Sequence, residues 1–225
     1  MSLGEYLGAG SGITKGLYHL NGNSNDSSGN GNNGSDTNIT YSLANGKFGQ
    51  GAGFNGSSSK VTITNTILPS TATNYTISAW INTANNTTEK TIISDRYGGS
   101  YAYKYRFYVE KTTKVLKHLI YNSGLTQLAS SVAIPATTWT HVAVTVTVGG
   151  TCYLYINGKQ DGSASYVVGS YPPAANQSTI GVITGPVTET YFNGSIDEVI
   201  IENVAWSAEK VKKYYTMSKG RFGII

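Results

Sequence analysis

The stretch from Phe192 to Trp206, FNGSIDEVIIENVAW, decides the fold of this chain. Asn193 and Gly194 tolerate the positive φ of a tight turn, and a run of mostly β-branched apolar residues follows them. This run is long enough to cross a domain in the extended conformation and stops before Ser207. We therefore predict that it forms the closing strand of a β-sandwich.

A short helix is predicted directly after this strand. Ser207 suits the N-cap position, and Glu209 suits the first turn because its charge complements the helix dipole. Val211, Tyr214 and Tyr215 recur at helical spacing and predict the packed face. The intervening lysines are predicted to face water: Lys210, Lys212 and Lys213.

Alternating apolar and polar residues predict short strands along the rest of the chain. Turn residues separate them, and the clearest hairpin signal is the pair Asn157 and Gly158. Helical periodicity appears only after Ser207, so the pattern indicates an all-β domain. The predicted strand segments are residues 61–63, 75–81, 91–94, 103–109, 115–121, 141–148, 153–156, 179–183 and 196–201.

Several motifs carry a resemblance to a known family. In order they are GLYHLNGNSNDSSGNGNNG (16–34), GKFGQ (46–50), FNGS (54–57), YTISAWI (75–81), WTHVAVT (139–145), YLYINGK (153–159), GSIDEV (194–199) and VAWSAE (204–209). Together they resemble laminin-G-like, concanavalin A-like jelly-roll domains. The resemblance implies two antiparallel sheets in a jelly-roll sandwich with one short C-terminal helix. Such domains serve as lectins, adhesion modules and structural shells.

Length and composition predict one globular domain. We assign it to residues 16–216, with a flexible Gly-rich arm at residues 1–15 and a tail at residues 217–225. Only 12% of the residues are charged, while the chain holds 27 Gly and 17 Tyr, so amides and hydroxyls make most of its polar surface. This composition is typical of extracellular or virion β proteins.

Targeting signals are not recognisable in the sequence. The N-terminus has no basic start, no apolar core of leader length and no small-residue cleavage site, so no signal peptide is predicted. No apolar run approaches membrane-spanning length, and we expect no membrane insertion. The expected location is extracellular or on a virion surface, reached after trimming of the chain or through assembly or lysis.

One candidate metal site is the Asn- and Gly-rich loop at residues 21–33, which surrounds Asp26 with carboxamides. Hard oxygen ligands of this kind suit Ca²⁺. In the family that the chain resembles, the first and last strands are neighbours and some members hold calcium there. The resemblance therefore implies Asp26 and Asp197 as ligands of a structural Ca²⁺. Asx turns that satisfy the loop backbone without an ion are the alternative.

Aromatic residues near glycines predict a glycan-binding surface. Tyr97 and Tyr101 flank a glycine pair, Arg106 follows them, and Tyr171 precedes two prolines in a second loop. An aromatic ring can stack on sugar C–H groups while a guanidinium binds hydroxyls. We predict Tyr97, Tyr101, Arg106 and Tyr171 as glycan contacts. The alternative is that the tyrosines of residues 101–107 form a strand face that only packs.

No catalytic residue is predicted. Glycosidases need two converging carboxylates, whereas Asp197 and Glu198 are adjacent in a strand and are expected on opposite faces. Cys152 lies in an apolar alternation and is expected to be a buried thiol. Nucleophile-elbow and phosphate-loop motifs do not occur. The sequence therefore indicates recognition without catalysis.

Two functions remain open at this point. The first is a lectin-like module that binds surface glycans. The alternative is a structural virion protein, a capsid decoration or tail component, whose arm and tail dock on neighbouring subunits or form a homo-oligomer. The net charge of +4 is mild, and its lysines near the C-terminus are interpreted as a solvated helix face rather than a polyanion contact. We expect no nucleic acid partner.

Overall fold

A computed structural model describes residues 12–65, 67, 73–85, 87–96, 105–121, 125–165, 177–183 and 189–220. These residues form strands and one α-helix, α1 (Ala208–Lys219). In chain order the strands are β1 (Thr14–Tyr18), β2 (Gly34–Thr37), β3 (Thr40–Ser42), β4 (Gly51–Asn55), β5 (Lys60–Ile63), β6 (Tyr75–Thr83), β7 (Lys90–Arg96), β8 (Tyr105–Val109), β9 (Val115–Tyr121), β10 (Leu125–Ala133), β11 (Thr140–Val146), β12 (Thr151–Ile156), β13 (Lys159–Ser165), β14 (Gln177–Ile180), β15 (Val182–Ile183), β16 (Thr190–Tyr191) and β17 (Asn193–Glu202).

Two large antiparallel sheets form a sandwich. The 8-stranded sheet has the order β13-β12-β11-β6-β17-β4-β3, with β1 also paired to β17. The 7-stranded sheet has the order β10-β9-β8-β7-β14-β5-β2, and β15 pairs with β16 in a small hairpin. This arrangement confirms the predicted two-sheet antiparallel sandwich with one C-terminal helix.

The core lies between the two sheets. Ile77, Ala79 and Ile81 of β6 face it, as do Tyr105 and Phe107 of β8, and all five are almost fully buried. Their spacing of two is the strand period, which places alternate residues on the same face. Burial of so many branched and aromatic side chains is the main stabilising contribution to the sandwich. Cys152 lies in the same core, as predicted.

Helix α1 covers the outer face of the 8-stranded sheet. Ser207 caps it, since its side chain accepts a hydrogen bond from the backbone N–H of Lys210. Val211 and Tyr214 are buried against Trp206 and the sheet. The helix prediction is confirmed except at Lys210, which was predicted to face water. Its Nζ lies 2.8 Å from the buried carboxylate of Glu202. The helix also extends through Lys219, beyond the predicted domain end at residue 216.

Strand β17 occupies the middle of the 8-stranded sheet. It pairs with β6 along one edge, while β4 and β1 share its other edge, opposite residues 193–196 and 199–202 respectively. All of its residues from Ser195 to Glu202 are buried. The motif that decided the prediction is therefore the strand with the most neighbours in the sheet.

A β-bulge interrupts β17 at Asp197 and Glu198. The register with β6 shifts between Asp197 and Ile200, and Glu198 has a φ of 51°. Ile196 and Val199 both face the core although they are three residues apart, so Asp197 and Glu198 share one outward position. The prediction that these two acids lie on opposite faces was wrong, because it assumed an uninterrupted strand.

Side chains of the Asn-rich loop cover the free edge of β1. Asn30 and Asn32 donate amide N–H groups to the backbone carbonyls of Thr14 and Lys15. The carboxylate of Asp26 accepts the backbone N–H of Leu17 at 3.0 Å. These bonds replace the strand that β1 lacks on that side, and they satisfy main-chain groups that would otherwise be unpaired.

Edge strand β10 was not predicted, and β13 was predicted only as the second arm of the Asn157–Gly158 hairpin, which the structure confirms. Both contain Ser, Ala and Gln, and their apolar alternation is weak. Asp161 of β13 accepts hydrogen bonds from the backbone N–H groups of Ser131 and Val132 in β10 and so joins the two sheets at this end.

No helix among the described residues has the length and apolar character that crossing a membrane requires.

Replacing Gly194 with Ala is expected to destabilise the domain. Its φ is +133°, and an added Cβ would lie 2.1 Å from the backbone oxygen of Asn82 on β6. We expect Gly194→Ala to lower the free energy of unfolding in urea by about 1–3 kcal/mol. Gly220→Ala is the control, since no atom lies within 4 Å of an added Cβ there. Equal unfolding midpoints for both variants would contradict the prediction.

Candidate functional site

Arg106 lies on the outer face of the 7-stranded sheet. It alternates along β8 with Tyr105, Phe107 and Val109, which all belong to the core, so its side chain points away from the sandwich interior. Arg106 is nevertheless only 6% exposed. A buried guanidinium needs partners for its donors, and the surrounding strands supply them.

The guanidinium of Arg106 is held from several sides. Its Nη1 lies 2.8 Å from the carboxylate of Glu89. Nε and Nη2 donate to the hydroxyl of Thr91 at 3.0 and 2.8 Å, and Nη2 also donates to the hydroxyl of Thr190 at 2.6 Å. The ring of Tyr108 lies beneath the guanidinium, 4.0 Å from centroid to carbon. These contacts join β7, β8 and β16 around one cation.

A cavity of about 680 Å³ opens beside this arginine. Its wall combines loop residues that precede β7, the turn after β8 and the β15–β16 hairpin. The volume is large enough for a small oligosaccharide or another drug-sized ligand. The lining residues are Gly56, Thr87, Thr88, Glu89, Arg106, Lys111, Ile183, Glu189, Thr190 and Tyr191.

The cavity offers mixed polar chemistry with one aromatic ring. Glu89 and Glu189 supply carboxylate acceptors, and Lys111 supplies an ammonium donor. The hydroxyl of Tyr191 donates a hydrogen bond to Glu189. This hydrogen bond, more than burial, raises the pKa of Tyr191 to about 12. Among the described lining residues, Glu89 and Glu189 balance Arg106 and Lys111 in charge, so this wall is suited to a hydroxyl-rich ligand rather than a strongly charged one.

Most of this cavity could not be recognised from the sequence. Among the described residues, Arg106 is the predicted glycan contact that lines it. Glu89 and Glu189 are far apart in the sequence and meet only because β16 lies beside β7. Tyr97, Tyr101 and Tyr171 lie outside the described residues, and their assignment stays a prediction. Tyr105, the described tyrosine of the predicted strand face, packs in the core.

The predicted calcium ligand Asp26 is already saturated by hydrogen bonds. Its Oδ1 accepts the backbone N–H groups of Leu17 and Ser28, and its Oδ2 accepts the Ser28 hydroxyl and the Asn32 N–H, all between 2.8 and 3.0 Å. Oxygens that each accept two donors have little lone-pair density left for a cation. Asp26 as placed therefore fits a loop anchor better than a calcium ligand.

Asp197 has a different environment. Its Oδ2 accepts the backbone N–H groups of Lys47 and Phe48 at 2.8 and 2.9 Å, while its buried Oδ1 has no hydrogen-bond partner among the described residues. Burial, and then the nearby charge of Glu198, raises the pKa of Asp197 to about 7. Glu198 itself lies 2.9 Å from the imidazole of His19.

The two predicted ligands make separate contacts. Asp26 lies on the free edge of β1, and Asp197 lies on β17, which pairs with the opposite edge of β1. Within the described part of the chain, no group of three or more His, Cys, Asp or Glu side chains is arranged to hold a metal ion. The assignment of Ca²⁺ to Asp26 and Asp197 stays a prediction, which the Asp26 variant below tests.

Other titratable core groups are held neutral by burial. Burial lowers the pKa of His118 and of His141 to about 3, and it raises the pKa of the Cys152 thiol to about 11. His141 bonds the hydroxyl of Ser78 at 2.8 Å, and His118 bonds the hydroxyl of Tyr75 at 2.7 Å. These groups have the character of packed core side chains rather than of reactive ones.

Comparison with protein families decides the classification. Residues 54–212 match the Laminin_G_3 model, described as the concanavalin A-like lectin/glucanases superfamily. The chain belongs to this family. A search of curated proteins found no significant match.

Solved structures with a similar fold include several binding domains. Domain 4 of the extracellular GH43 arabinanase AbnA from Geobacillus stearothermophilus, in complex with arabinotriose, has a TM-score of 0.73 at 22% identity, covering 90% of this chain and 98% of that one. The binding domain of Paraclostridial mosquitocidal protein 1 has a TM-score of 0.72 at 15% identity, covering 91% and 52%.

A third similar structure belongs to botulinum neurotoxin type C, whose cell entry depends on interaction with two ganglioside molecules. Its TM-score is 0.69 at 18% identity, covering 92% of this chain and 51% of that one. The chain thus spans about half of each toxin binding domain. At these identities the likenesses show the jelly-roll fold.

Asp26→Ala tests the loop anchor against the calcium ligand. Loss of the carboxylate leaves the N–H groups of Leu17, Ser28 and Asn32 without their acceptor, so we expect the free energy of unfolding to fall by about 1–3 kcal/mol. Urea unfolding is measured with added Ca²⁺ and with EDTA. The same loss in both conditions is expected. A loss confined to the calcium condition would instead establish Asp26 as a metal ligand.

The raised pKa of Asp197 predicts a pH dependence of stability. Between pH 3.8 and about 7 the folded chain keeps a proton on Asp197 that the unfolded chain has released. Stability therefore falls as pH rises through this window, and the penalty is complete above it. In unfolding measurements from pH 4 to 8, Asp197→Asn should remove this component. The exposed control Glu209→Gln should retain this pH dependence. A curve of stability against pH for Asp197→Asn that runs parallel to that of the wild type would refute the raised pKa of Asp197.

Proposed function

We propose that this domain is a non-enzymatic, lectin-like module that binds a glycan in the cavity beside Arg106. The observation that carries the proposal is the cavity itself, in which Glu89, Lys111 and Glu189 offer groups that bind hydroxyls and Tyr191 offers a ring. Sugars are bound by this combination, because polar groups orient the hydroxyls while an aromatic face contacts the C–H surface.

Arg106 acts in this proposal as the support of the cavity wall. Its donors bind Glu89, Thr91 and Thr190, so it fixes two lining residues in place before any ligand arrives. A site held in this way loses little conformational entropy on binding. The charged residue predicted as a direct sugar contact thus serves mainly to position its neighbours.

The similar structures support a binding function. The arabinanase domain was solved with arabinotriose, and the neurotoxin type C depends on gangliosides for cell entry. Another similar structure, the binding domain of botulinum neurotoxin DC, was solved in complex with SialylT. Each of these ligands contains carbohydrate, which favours the glycan hypothesis for this chain as well.

The local contacts argue against hydrolysis. A glycosidase presents one carboxylic acid and one carboxylate to the sugar. Here Glu89 forms an ion pair with Arg106, and Glu189 accepts the hydroxyl hydrogen bond of Tyr191. Each carboxylate thus already has one donor in the cavity wall, and its remaining lone pairs can accept sugar hydroxyls.

A glycan array followed by titration of the best oligosaccharide tests the proposal. Lys111→Ala and Tyr191→Ala remove a donor and the ring of the cavity, so each should weaken binding at least about tenfold, or about 1.4 kcal/mol. Lys60→Ala, on β5 and outside the cavity lining, is the matched control and should bind as the wild type does.

Two results would contradict this placement. Unchanged affinity of both cavity variants, with loss in Tyr97→Ala or Tyr101→Ala, would move the site to the predicted tyrosine loop. Release of new reducing ends from the bound oligosaccharide would show an enzyme. The module's weak single-site affinity, if found, would be raised by multivalent display.

The assembly role stays a second prediction. It depends on the arm and the tail, and residues 1–11 and 221–225 lie outside the described part of the chain. An extracellular or virion-surface location is compatible with both proposals.

A further inference from the structure

Asn-Gly pairs recur along the chain, and each of them lies among the described residues. The pairs begin at Asn21, Asn30, Asn33, Asn45, Asn55, Asn157 and Asn193. Such a pair can modify itself, because glycine has no side chain to keep its backbone nitrogen away from the preceding asparagine side chain. Whether a pair reacts depends on how firmly the fold holds two groups, the side-chain amide and the glycine N–H.

Hydrogen bonds hold the side-chain amide in most of these pairs. Asn157 accepts the backbone N–H of His141 at 3.0 Å, and Asn30 donates to the backbone carbonyl of Thr14 at 2.6 Å. Comparable hydrogen bonds hold the amides of Asn33, Asn45 and Asn55. An amide held in this way cannot turn its carbon towards the following nitrogen without losing the hydrogen bond.

The glycine N–H is held as well in several pairs. Backbone N–H groups that donate to backbone carbonyls are those of Gly34, Gly46 and Gly56. The Asn193 side chain makes no hydrogen bond among the described residues, but Asn193 and Gly194 lie in β17 and pair with Asn55 and Phe54 of β4. The sheet thus fixes the backbone of this pair.

The pair Asn21 and Gly22 is held by neither means. Both residues are exposed and follow β1, outside every strand. Among the described residues, no hydrogen bond engages the Asn21 side chain or the Gly22 N–H. Gly22 has a φ of +86°, a conformation that glycine adopts without strain. This pair therefore combines an unrestrained amide with an unrestrained backbone nitrogen.

We propose that Asn21 is the site at which this chain deamidates without an enzyme, to aspartate and isoaspartate. The Gly22 nitrogen loses its proton to hydroxide and bonds to Cγ of Asn21. The Cγ–Nδ2 bond then breaks, and ammonia leaves with a proton from water, which regenerates the hydroxide and closes a succinimide ring. Water opens this ring at either carbonyl. Cleavage of the bond from nitrogen to Cγ gives aspartate, and cleavage of the original backbone bond gives isoaspartate.

The isoaspartate product is expected to weaken the cover of the β1 edge. Isoaspartate adds Cβ to the main chain directly before the loop whose Asp26, Asn30 and Asn32 bond to the β1 backbone. Aspartate at Asn21 leaves the main chain unchanged and only adds one negative charge, which lowers the formal net charge of +4 by one. This modification does not involve the Arg106 cavity, so it goes beyond the proposed function and is tested independently of it.

Incubation of the folded chain in mildly alkaline buffer tests the site. Proteolysis and mass spectrometry with electron-transfer fragmentation locate each new acid. We expect Asn21 to react at least about tenfold faster than any other Asn-Gly pair. A parallel incubation in concentrated urea removes the restraints of the fold, and there the rates of all the pairs should agree within about threefold.

Two variants separate this site from the other weakly held pair. Asn21→Gln disfavours ring closure, so it should abolish most of the acidic species that the folded wild type accumulates on ion-exchange chromatography. Asn193→Gln is the matched control and should leave the amount of this species unchanged. The purified isoaspartate form should unfold at a lower urea concentration than Asn21→Asp, which should unfold at the wild-type midpoint.

Each measurement has a result that would overturn the proposal. Faster reaction at another Asn-Gly pair of the folded chain would move the site. The same ranking of the pairs in buffer and in urea would show that the fold does not select among them. An undiminished acidic species in Asn21→Gln would exclude Asn21 as its source. Equal urea midpoints for the isoaspartate form and Asn21→Asp would overturn the effect on the β1 edge.

Discussion

The backbone pairing of β17 is the interaction on which the rest of the structure depends. One strand bonds to β6 along its length and to both β4 and β1 on its other edge, so it joins the first, middle and last parts of the chain. Its apolar residues face the sandwich core on one side and helix α1 on the other. A strand in this position has no exposed edge and little exposed face, which explains why its residues from Val199 to Ile201 are all branched and apolar.

The bulge in β17 allows this strand to carry two buried acids. An uninterrupted strand would have placed Asp197 or Glu198 in the apolar core, where a carboxylate costs several kcal/mol. The extra residue instead turns both acids outward, where Asp197 accepts the N–H groups of Lys47 and Phe48 and Glu198 contacts His19. Asp197 thereby fixes the loop before β4, and that loop supplies Lys47 to the outer face of the sheet. Through Asp197 and Lys47, the bulge in β17 is thus linked to the sheet face on which helix α1 lies.

Those parts of the structure that depend on short-range patterns could be predicted from the sequence. The sandwich, the closing strand, the N-cap at Ser207 and the buried Cys152 follow from periodicity and turn chemistry. The bulge was missed because alternation assumes constant register, and β10 was missed because a polar edge strand buries few side chains. The cavity could not be predicted because Glu89, Arg106 and Thr190 meet through sheet order alone. Asp26 was recognised as important, yet three of its four hydrogen-bond donors are backbone N–H groups that carry no sequence signal.

Closure of the β1 edge by the Asn-rich loop has a consequence for crowded display. A bare edge strand offers main-chain donors and acceptors to any other chain and is a common start of polymerisation. Here the amides of Asn30 and Asn32 and the carboxylate of Asp26 already occupy that edge. Strand β1 therefore offers a neighbouring copy of the domain no open edge along which the sheet could be extended. At this edge, dense display of the domain on a surface would not lead to strand addition between copies.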